Sequence, residues 1–327
     1  EASQRDLFVV HAPLGCEDIG VQVFELKAGK LVSKIREAEN FATKLPHHNF
    51  KIQFDIPGRR AAVTDEFRLV PSGAGPKSVL LRLGSHFKVT SLKLADGTAV
   101  PFSQAGGVIA FARPTTATTY TMAYGGMVNL PFVGGMTRSD EILLAGDLWA
   151  PTLGRQPATF RAEIHAPANW EIICQGNRIS EQKSASESVA TYDMPLPNCF
   201  FSLSAGKYRT QSLTKEGFTL RTASLDMTPA EMQLQNEVNW NVFKTLKRFA
   251  PYPFKEFTFL ESRCMFGGAL EAYSYATYMD NWLPDEEPHE PSHSWFGGIR
   301  VNNYLTSLWN ESFADWFEHA YLREGGI

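Results

Sequence analysis

The pentapeptide His289-Glu290-Pro291-Ser292-His293 (HEPSH) says more about the fold than any other stretch of the sequence. It matches the pattern H-E-x-x-H. Residues four positions apart lie on the same face of a helix, so two imidazoles at this spacing can bind one zinc ion. The glutamate between them then lies beside the open position of the metal, where it can accept a proton from water. The motif therefore makes His289 and His293 candidate zinc ligands and Glu290 a candidate general base; the alternative is two surface histidines on a polar segment.

A site of this type needs a third protein ligand and leaves the fourth position for water. Glu311 is the candidate, because it follows His293 by 18 residues and lies on the next predicted helix. Asp315 and Glu318 follow at helical spacing on the same face, where they either orient the histidines or face solvent. His319 is a weaker alternative as third ligand. The pattern predicts one zinc ion held by the two histidines and Glu311.

The region from His289 to Glu324 is predicted to be helical, and Pro291 limits where its first helix begins. A proline inside a helix costs about 3 kcal/mol, but in the first turn it removes an N–H that has no partner in any case. We therefore expect this helix to start close to His289. The aromatic residues of the region are interpreted as core packing around two helices. They are Trp295, Phe296, Trp309, Phe313, Trp316 and Phe317.

The chain before this region is predicted to be mainly β. Apolar and polar residues alternate with a period of two in runs such as 120–124 and 160–165, and Gly- and Pro-rich turns separate the runs. Residues 1–210 are therefore predicted to form an N-terminal all-β domain, a sandwich or an open, curved set of sheets. Residues 1–45 fit this pattern least, and we expect them to be an irregular leader in which residues 28–42 are helical or irregular.

The pattern becomes helical after the β region. Thr228-Pro229-Ala230-Glu231 is a capping box with proline at the first helical position. The helix is expected to end before Pro251, and residues 257–260 to form a short strand. The predicted fold class is α+β, with residues 211–327 as a second domain.

Composition and charge exclude several classes of protein. The 327 residues carry a net charge of −4 without a Lys/Arg-rich block, which argues against a nucleic-acid partner. No apolar run approaches the ~18 residues that span a bilayer, so we expect a soluble protein. Cys174 and Cys199 lie in neighbouring predicted strands. They either form a disulfide, if the protein is exported, or are buried thiols. The chain begins at Glu1, so a processed product is expected; its compartment and oligomeric state stay open.

Three pieces of the sequence, in order, resemble the signatures of the M1 family of zinc aminopeptidases, which are gluzincins. Tyr252-Pro253-Phe254 is similar to the family's Y-P-F, and Gly268-Ala269-Leu270-Glu271-Ala272 to its G-A-M-E-N motif. Residues 289–314 are similar to H-E-x-x-H-x-W-F-G-N…L-W-L-N-E-G-F-A. The resemblance extends over residues 50–327, including the β region.

The resemblance implies a saddle-shaped β domain followed by a thermolysin-like zinc-metallopeptidase domain. It implies an aminopeptidase that removes the first residue of a peptide, with the metal ligands and general base already named. It also implies that Glu271 binds the free α-amine of the peptide substrate, next to Gly268 and Ala269. An ammonium in a partly dry cleft needs such a carboxylate partner.

The sequence departs from the family pattern at several points. Leu270 and Ala272 replace methionine and asparagine of G-A-M-E-N, and the interval between His293 and Glu311 is one residue shorter than usual. The family's catalytic tyrosine and second helical half are not found before Ile327, so we expect a partial catalytic domain. Two other hypotheses therefore stay open: an inactive M1-like binding or scaffold protein, and a zinc hydrolase whose substrate is not a peptide.

Overall fold

The computed structural model describes residues 7–14, 17–27, 30–36, 42–130, 135–145, 149–154, 156–302 and 309–324. Strands far outnumber helices among these residues, so the expected mainly β chain with an N-terminal β domain is confirmed. The thermolysin-like nature of the second part and the division at residue 210 stay predictions. Within the same ranges, no helix is both long and apolar enough to cross a membrane.

The strands and helices are numbered in chain order. The strands are β1 (Leu7–Leu14), β2 (Glu17–Lys27), β3 (Lys30–Arg36), β4 (Thr43–Lys44), β5 (His47–Asp55), β6 (Arg60–Pro71), β7 (Ser78–Arg82), β8 (Phe87–Leu94), β9 (Phe102–Ala105), β10 (Val108–Ala112), β11 (Thr118–Met127), β12 (Asn129–Leu130), β13 (Gly135–Thr137), β14 (Glu141–Leu144), β15 (Ala158–Pro167), β16 (Glu171–Cys174), β17 (Asn177–Lys183), β18 (Glu187–Asn198), β19 (Leu203–Gly206), β20 (Arg209–Lys215), β21 (Phe218–Ser224), β22 (Glu256–Ser262), β23 (Ala269–Glu271), β24 (Tyr275–Met279), β25 (Phe296–Gly297) and β26 (Arg300–Val301). The helices are α1 (Pro229–Leu246), α2 (His289–Ser292) and α3 (Trp309–Glu324).

The first three strands form an antiparallel sheet in the order β1-β2-β3. The expectation of an irregular or helical leader over residues 1–45 is therefore wrong for these segments. The pairing of β2 with β3 shifts register between Val23 and Phe24. Val23 pairs with Ile35 and Phe24 with Ser33, so the extra residue, Lys34, lies on β3 and interrupts the two-residue period of that strand. An interrupted period of two is hard to recognise in a sequence.

The largest sheet in the described part of the chain has the order β17-β18-β15-β5-β6-β11-β8, and β4 also pairs with β6. Its strands pair antiparallel except β5 and β15, which are parallel. Along β6, buried and exposed residues alternate as a period of two predicts. Its inward side chains, such as Val63 and Phe67, join one extended apolar core with residues of β5, β11 and β15. Two smaller sheets, β7-β10-β9 and β12-β13-β14-β19-β16, complete the β region.

A mixed sheet, β20-β21-β22-β24-β23, begins the second part of the chain. Strands β21, β22 and β24 run parallel, and β23 lies antiparallel at the edge. Helix α1 packs on β20 and β21. It begins with the predicted capping box: the Glu231 N–H donates to the Thr228 hydroxyl, and the Thr228 N–H donates to the Glu231 carboxylate. It ends before Pro251, as predicted.

The region after His289 is only partly helical. Helix α2 is a single turn, and the short parallel strands β25 and β26 lie between it and α3. Gly297, at φ +133°, interrupts the helical path. The expected aromatic core is confirmed for Trp295 and Phe317, whereas Phe313 and Trp316 are about half exposed.

Buried polar contacts link the β region to the mixed sheet. The Glu141 carboxylate accepts hydrogen bonds from the hydroxyls of Tyr208, at 2.8 Å, and Ser262, at 2.9 Å. The Arg221 guanidinium, on β21, pairs with the Glu171 carboxylate on β16. Buried polar groups are costly unless paired, so these contacts favour one arrangement of the two sheets.

The described cysteines, Cys174, Cys199 and Cys264, are buried free thiols. The disulfide left open for Cys174 and Cys199 is therefore not formed.

Phe243 on α1 is fully buried in the apolar cluster that α1 and α3 form with the mixed sheet. Its ring contacts those of Phe218, Tyr252, Phe257, Phe259 and Trp295. We expect Phe243→Ala to lower the free energy of unfolding by about 3–5 kcal/mol, because it leaves a cavity. Denaturant unfolding measures this. Leu234→Ala, at an exposed position of the same helix, is the control and should cost less than about 0.5 kcal/mol. Equal losses in the two variants would contradict the packing described.

Candidate metal centre

Helix α2 begins at His289, which confirms the start expected from Pro291. Pro291 lies in the first turn, where its missing N–H removes no helical hydrogen bond. The Glu287 carboxylate accepts the Glu290 N–H at 3.0 Å and caps this turn. The turn therefore places His289 and His293 next to each other, with Glu290 between them along the chain.

Three donor atoms of the predicted ligands converge. The Nε2 atoms of His289 and His293 are 3.3 Å apart, and Glu311 Oε2 lies 3.5 Å and 3.4 Å from them. Two ligands about 2.05 Å from a tetrahedral zinc ion are roughly 3.3 Å apart, so the separations fit zinc. The His293 side chain is 1% exposed and that of Glu311 41% exposed, so the cluster is open to solvent on the α3 side. The donor set fits a zinc site with a free position.

The second ring nitrogen of each histidine faces an acceptor. His289 Nδ1 lies 3.2 Å from Glu318 Oε2 and 3.3 Å from Asp315 Oδ1, so the structure brings both predicted outer acids to this ring. His293 Nδ1 faces the Phe296 carbonyl oxygen at 3.4 Å. Such contacts keep a proton on Nδ1 and leave Nε2 for a metal. The alternative ligand His319 is exposed on α3, outside the cluster.

Electrostatics within the cluster favour protonated imidazoles when no metal is bound. Burial lowers the pKa of His289, but the Glu311 hydrogen bond and the Glu290 charge outweigh it and raise the pKa to about 9. Burial also lowers the pKa of His293, but the Glu271 charge and the Glu311 hydrogen bond outweigh it and raise the pKa to about 10. Burial raises the pKa of Glu311, yet the two imidazoles hold it well below its usual range. Protons therefore compete with a metal for these atoms.

Two further carboxylates lie beside the ligands. Ligand atoms of Glu271, Glu290 and His293 all fall within 4.8 Å of one another. Burial raises the pKa of Glu290 to about 8; the charge on His293 lowers it, and the neighbouring Glu271 raises it. Glu290 Oε2 is buried and has no hydrogen-bond partner among the described residues. An unpartnered buried oxygen beside a metal-binding cluster is suited to bind water or substrate.

Glu271 is the last residue of β23, at the edge of the mixed sheet. Its side chain is buried, and Ala269, which begins the strand, is partly buried. Gly268 precedes the strand at φ +86°, a conformation that favours glycine. A Cβ there would lie 3.2 Å from the Trp282 ring. The three residues of the predicted substrate-binding motif therefore lie on or directly before the edge strand β23.

Sequence reasoning missed Glu287. This buried carboxylate caps α2, and burial raises its pKa. An acidic residue followed by proline, just before a predicted helix, is a recognisable start signal. In the acidic run Asp285-Glu286-Glu287 it is easily taken for a solvated segment.

No protein-family model and no curated protein matches this sequence. Solved structures do match. The M1 zinc metallopeptidase from Deinococcus radiodurans superposes with a TM-score of 0.74 at 16% identity, covering 87% of this chain and 72% of that one. A variant of it bound to a Tyr-Ser-Ala substrate gives the same TM-score and identity, with 88% and 72% covered. A two-domain M1 zinc metallopeptidase variant bound to L-arginine has a TM-score of 0.73 at 16% identity, with 88% and 72% covered. The chain therefore has the fold of the M1 zinc metallopeptidases, as the resemblance implied.

Zinc binding is expected to release protons. At about pH 7.5, His289 and His293 carry protons because their pKa values are about 9 and 10, and zinc requires free Nε2 atoms. Calorimetric titrations with zinc in buffers of different ionisation enthalpy should show more than one proton released per ion. Affinity should fall as the pH is lowered, since more protons then compete. Glu311→Gln removes the charge that raises both pKa values, so fewer protons should be released. Heats independent of the buffer would contradict the protonation described.

Proposed function

We propose that this chain is a zinc-dependent aminopeptidase that removes the first residue of peptides by activating water. One observation carries the proposal: two imidazoles and a carboxylate converge at 3.3–3.5 Å, with the carboxylates of Glu271 and Glu290 beside them. The fold shared with M1 zinc metallopeptidases supports it. One of those structures contains a peptide substrate, which is the substrate class proposed for this chain.

His289, His293 and Glu311 would hold the zinc ion. When bound, zinc supplies a Lewis acid that polarises the scissile carbonyl and lowers the pKa of water. Glu311 lies on the exposed side of the cluster, so the peptide and the water can approach from there. The outer carboxylates of Asp315 and Glu318 keep the His289 ring oriented.

Glu290 takes the proton of the attacking water. Its Oε2 has no hydrogen-bond partner within the described ranges, so this oxygen can accept that proton. The same carboxyl group later passes the proton to the nitrogen of the leaving amine. A general base works best with a pKa near the working pH, and the pKa of about 8 lies in that range. A bound divalent cation would lower this raised pKa and favour the carboxylate.

Glu271 binds the α-ammonium group of the substrate. Two buried carboxylates within 4.8 Å repel each other, so a cation between them is stabilised. An ammonium held by Glu271 fixes the position of the first residue relative to the zinc ligands. Cleavage then falls after that residue.

Glu290→Gln should retain about one zinc per chain and lower kcat by roughly 10²–10⁴-fold, because the amide cannot accept the proton. Metal analysis and turnover of aminoacyl-amide substrates measure the two effects. Glu237→Gln, at an exposed position of α1, is the control and should leave both unchanged. A Glu290→Gln variant with full activity would overturn the assignment.

Glu271→Gln should lower kcat/KM for peptides with a free α-amine by roughly 10–100-fold, because a charged hydrogen bond is lost. Hydrolysis of the same peptides with an acetylated N-terminus should be equally poor in both proteins. An unchanged kcat/KM would instead favour a zinc hydrolase whose substrate has no amine.

A further inference from the structure

A segment without helix or strand leads from β24 into α2, and we call residues Pro284–Glu287 the lead-in segment. Its backbone N–H and C=O groups have no regular secondary structure to pair with. Helix α1 supplies partners instead. The side-chain amide of Gln235, on the buried face of α1, donates to the Pro284 carbonyl oxygen at 2.9 Å.

Asn239, one turn further along α1, makes the central contact. Its Nδ2 donates to the Asp285 carbonyl oxygen at 3.0 Å and to the Gln235 carbonyl oxygen of its own helix at 2.9 Å. Its Oδ1 accepts the Glu287 N–H at 2.8 Å. The partners are two acceptors and one donor, so they define which way the amide points. The side chain is fully buried, so each lost contact would leave a buried polar group unpaired.

The contact at Glu287 continues into the metal centre. Asn239 fixes the backbone of Glu287, and the Glu287 carboxylate caps α2 by accepting the Glu290 N–H. On the other side, the Tyr321 hydroxyl of α3 donates to the Glu286 carboxylate at 2.9 Å. The lead-in segment is thus held by the helix that packs on the mixed sheet and by the helix that carries the third ligand.

We propose that Asn239 is a positioning residue for the metal centre. It sets where α2 begins, and so it sets the distance of His289 and His293 from Glu311. Asn239 lies in none of the three sequence motifs and acts through Glu287. The inference rests on the proposed function only in taking the ion to be zinc.

Asn236 is a matched control on the same helix. It is also fully buried and makes two side-chain contacts: its Oδ1 accepts the Thr222 hydroxyl at 2.9 Å, and its Nδ2 donates to the Gln211 carbonyl oxygen at 3.1 Å. Both partners lie on β20 and β21, away from the lead-in segment. Asn236→Leu and Asn239→Leu therefore remove similar contacts from the same helix, but only one of them reaches α2.

The test compares zinc affinity and cobalt spectra in the full chain. Zinc affinity is measured by competition with a chromophoric chelator, and the Co²⁺-substituted proteins are compared by visible absorption. Asn239→Leu should weaken zinc binding by roughly 10–100-fold, the usual effect of losing an outer contact, and should alter the cobalt bands. Asn236→Leu should lose similar thermal stability but keep its zinc affinity within about twofold. If Asn239→Leu does not fold, Gln235→Met, which loses only the Pro284 contact, should weaken zinc binding by roughly 3–10-fold.

Three outcomes would overturn the proposal. The first is unchanged zinc affinity in the folded Asn239→Leu variant, or in Gln235→Met if Asn239→Leu does not fold. The second is an equal loss of zinc affinity in Asn236→Leu, and the third is no zinc binding by the unaltered chain. The last also overturns the proposed function. A chain that binds zinc but hydrolyses no peptide overturns the proposed function alone, because the affinity comparison does not depend on turnover.

Discussion

The candidate site depends on one acceptor, the carbonyl oxygen of Tyr273. It accepts the hydroxyl of Ser294 at 2.6 Å and that of Tyr252 at 3.0 Å. Tyr273 has φ +63°, a conformation that costs a non-glycine residue of order 1 kcal/mol. The two hydrogen bonds and the buried ring offset that cost. This single oxygen therefore joins the segment after Glu271, the turn after His293 and the loop after α1.

That junction brings together the three separate pieces of sequence that resemble the M1 signatures. Tyr252 belongs to the Y-P-F piece, Tyr273 follows the piece with Glu271, and Ser294 follows the second histidine of HEPSH. None of the pieces forms the candidate site alone, because Glu271 and the cluster of His289, His293 and Glu311 lie on different elements. The order was readable in the sequence, and so was the start of α2, because proline restricts the backbone locally. Strict alternation likewise predicted β11 and β15.

The parts that escaped prediction are contacts between residues far apart in sequence. Asn239 reaches Glu287 across 48 positions, and a polar residue on a predicted helix is usually read as solvent-facing. The strained backbone of Tyr273 has no sequence signal, since aromatic residues are rare at positive φ. The leader strands were missed for a local reason: a register shift broke the period on which strand prediction rests. Local restrictions on the backbone could therefore be predicted from the sequence, whereas hydrogen bonds between polar groups far apart in the chain could not.

The cluster of His289, His293 and Glu311 already has its ligand spacing without a metal. Small metal-dependent domains often fold only when the ion binds, because their ligands are otherwise unordered. In this chain the Glu311 carboxylate lies 3.5 Å and 3.4 Å from the Nε2 atoms of His289 and His293, and these contacts keep it beside both rings. His293 is buried, the His289 ring contacts Glu318 and Asp315, and Glu311 lies on α3, whose residues Ala314 and Phe317 are buried. With zinc as the proposed ion, exchange of protons for the metal would need little rearrangement of these three side chains, so more of the binding free energy would be retained as affinity.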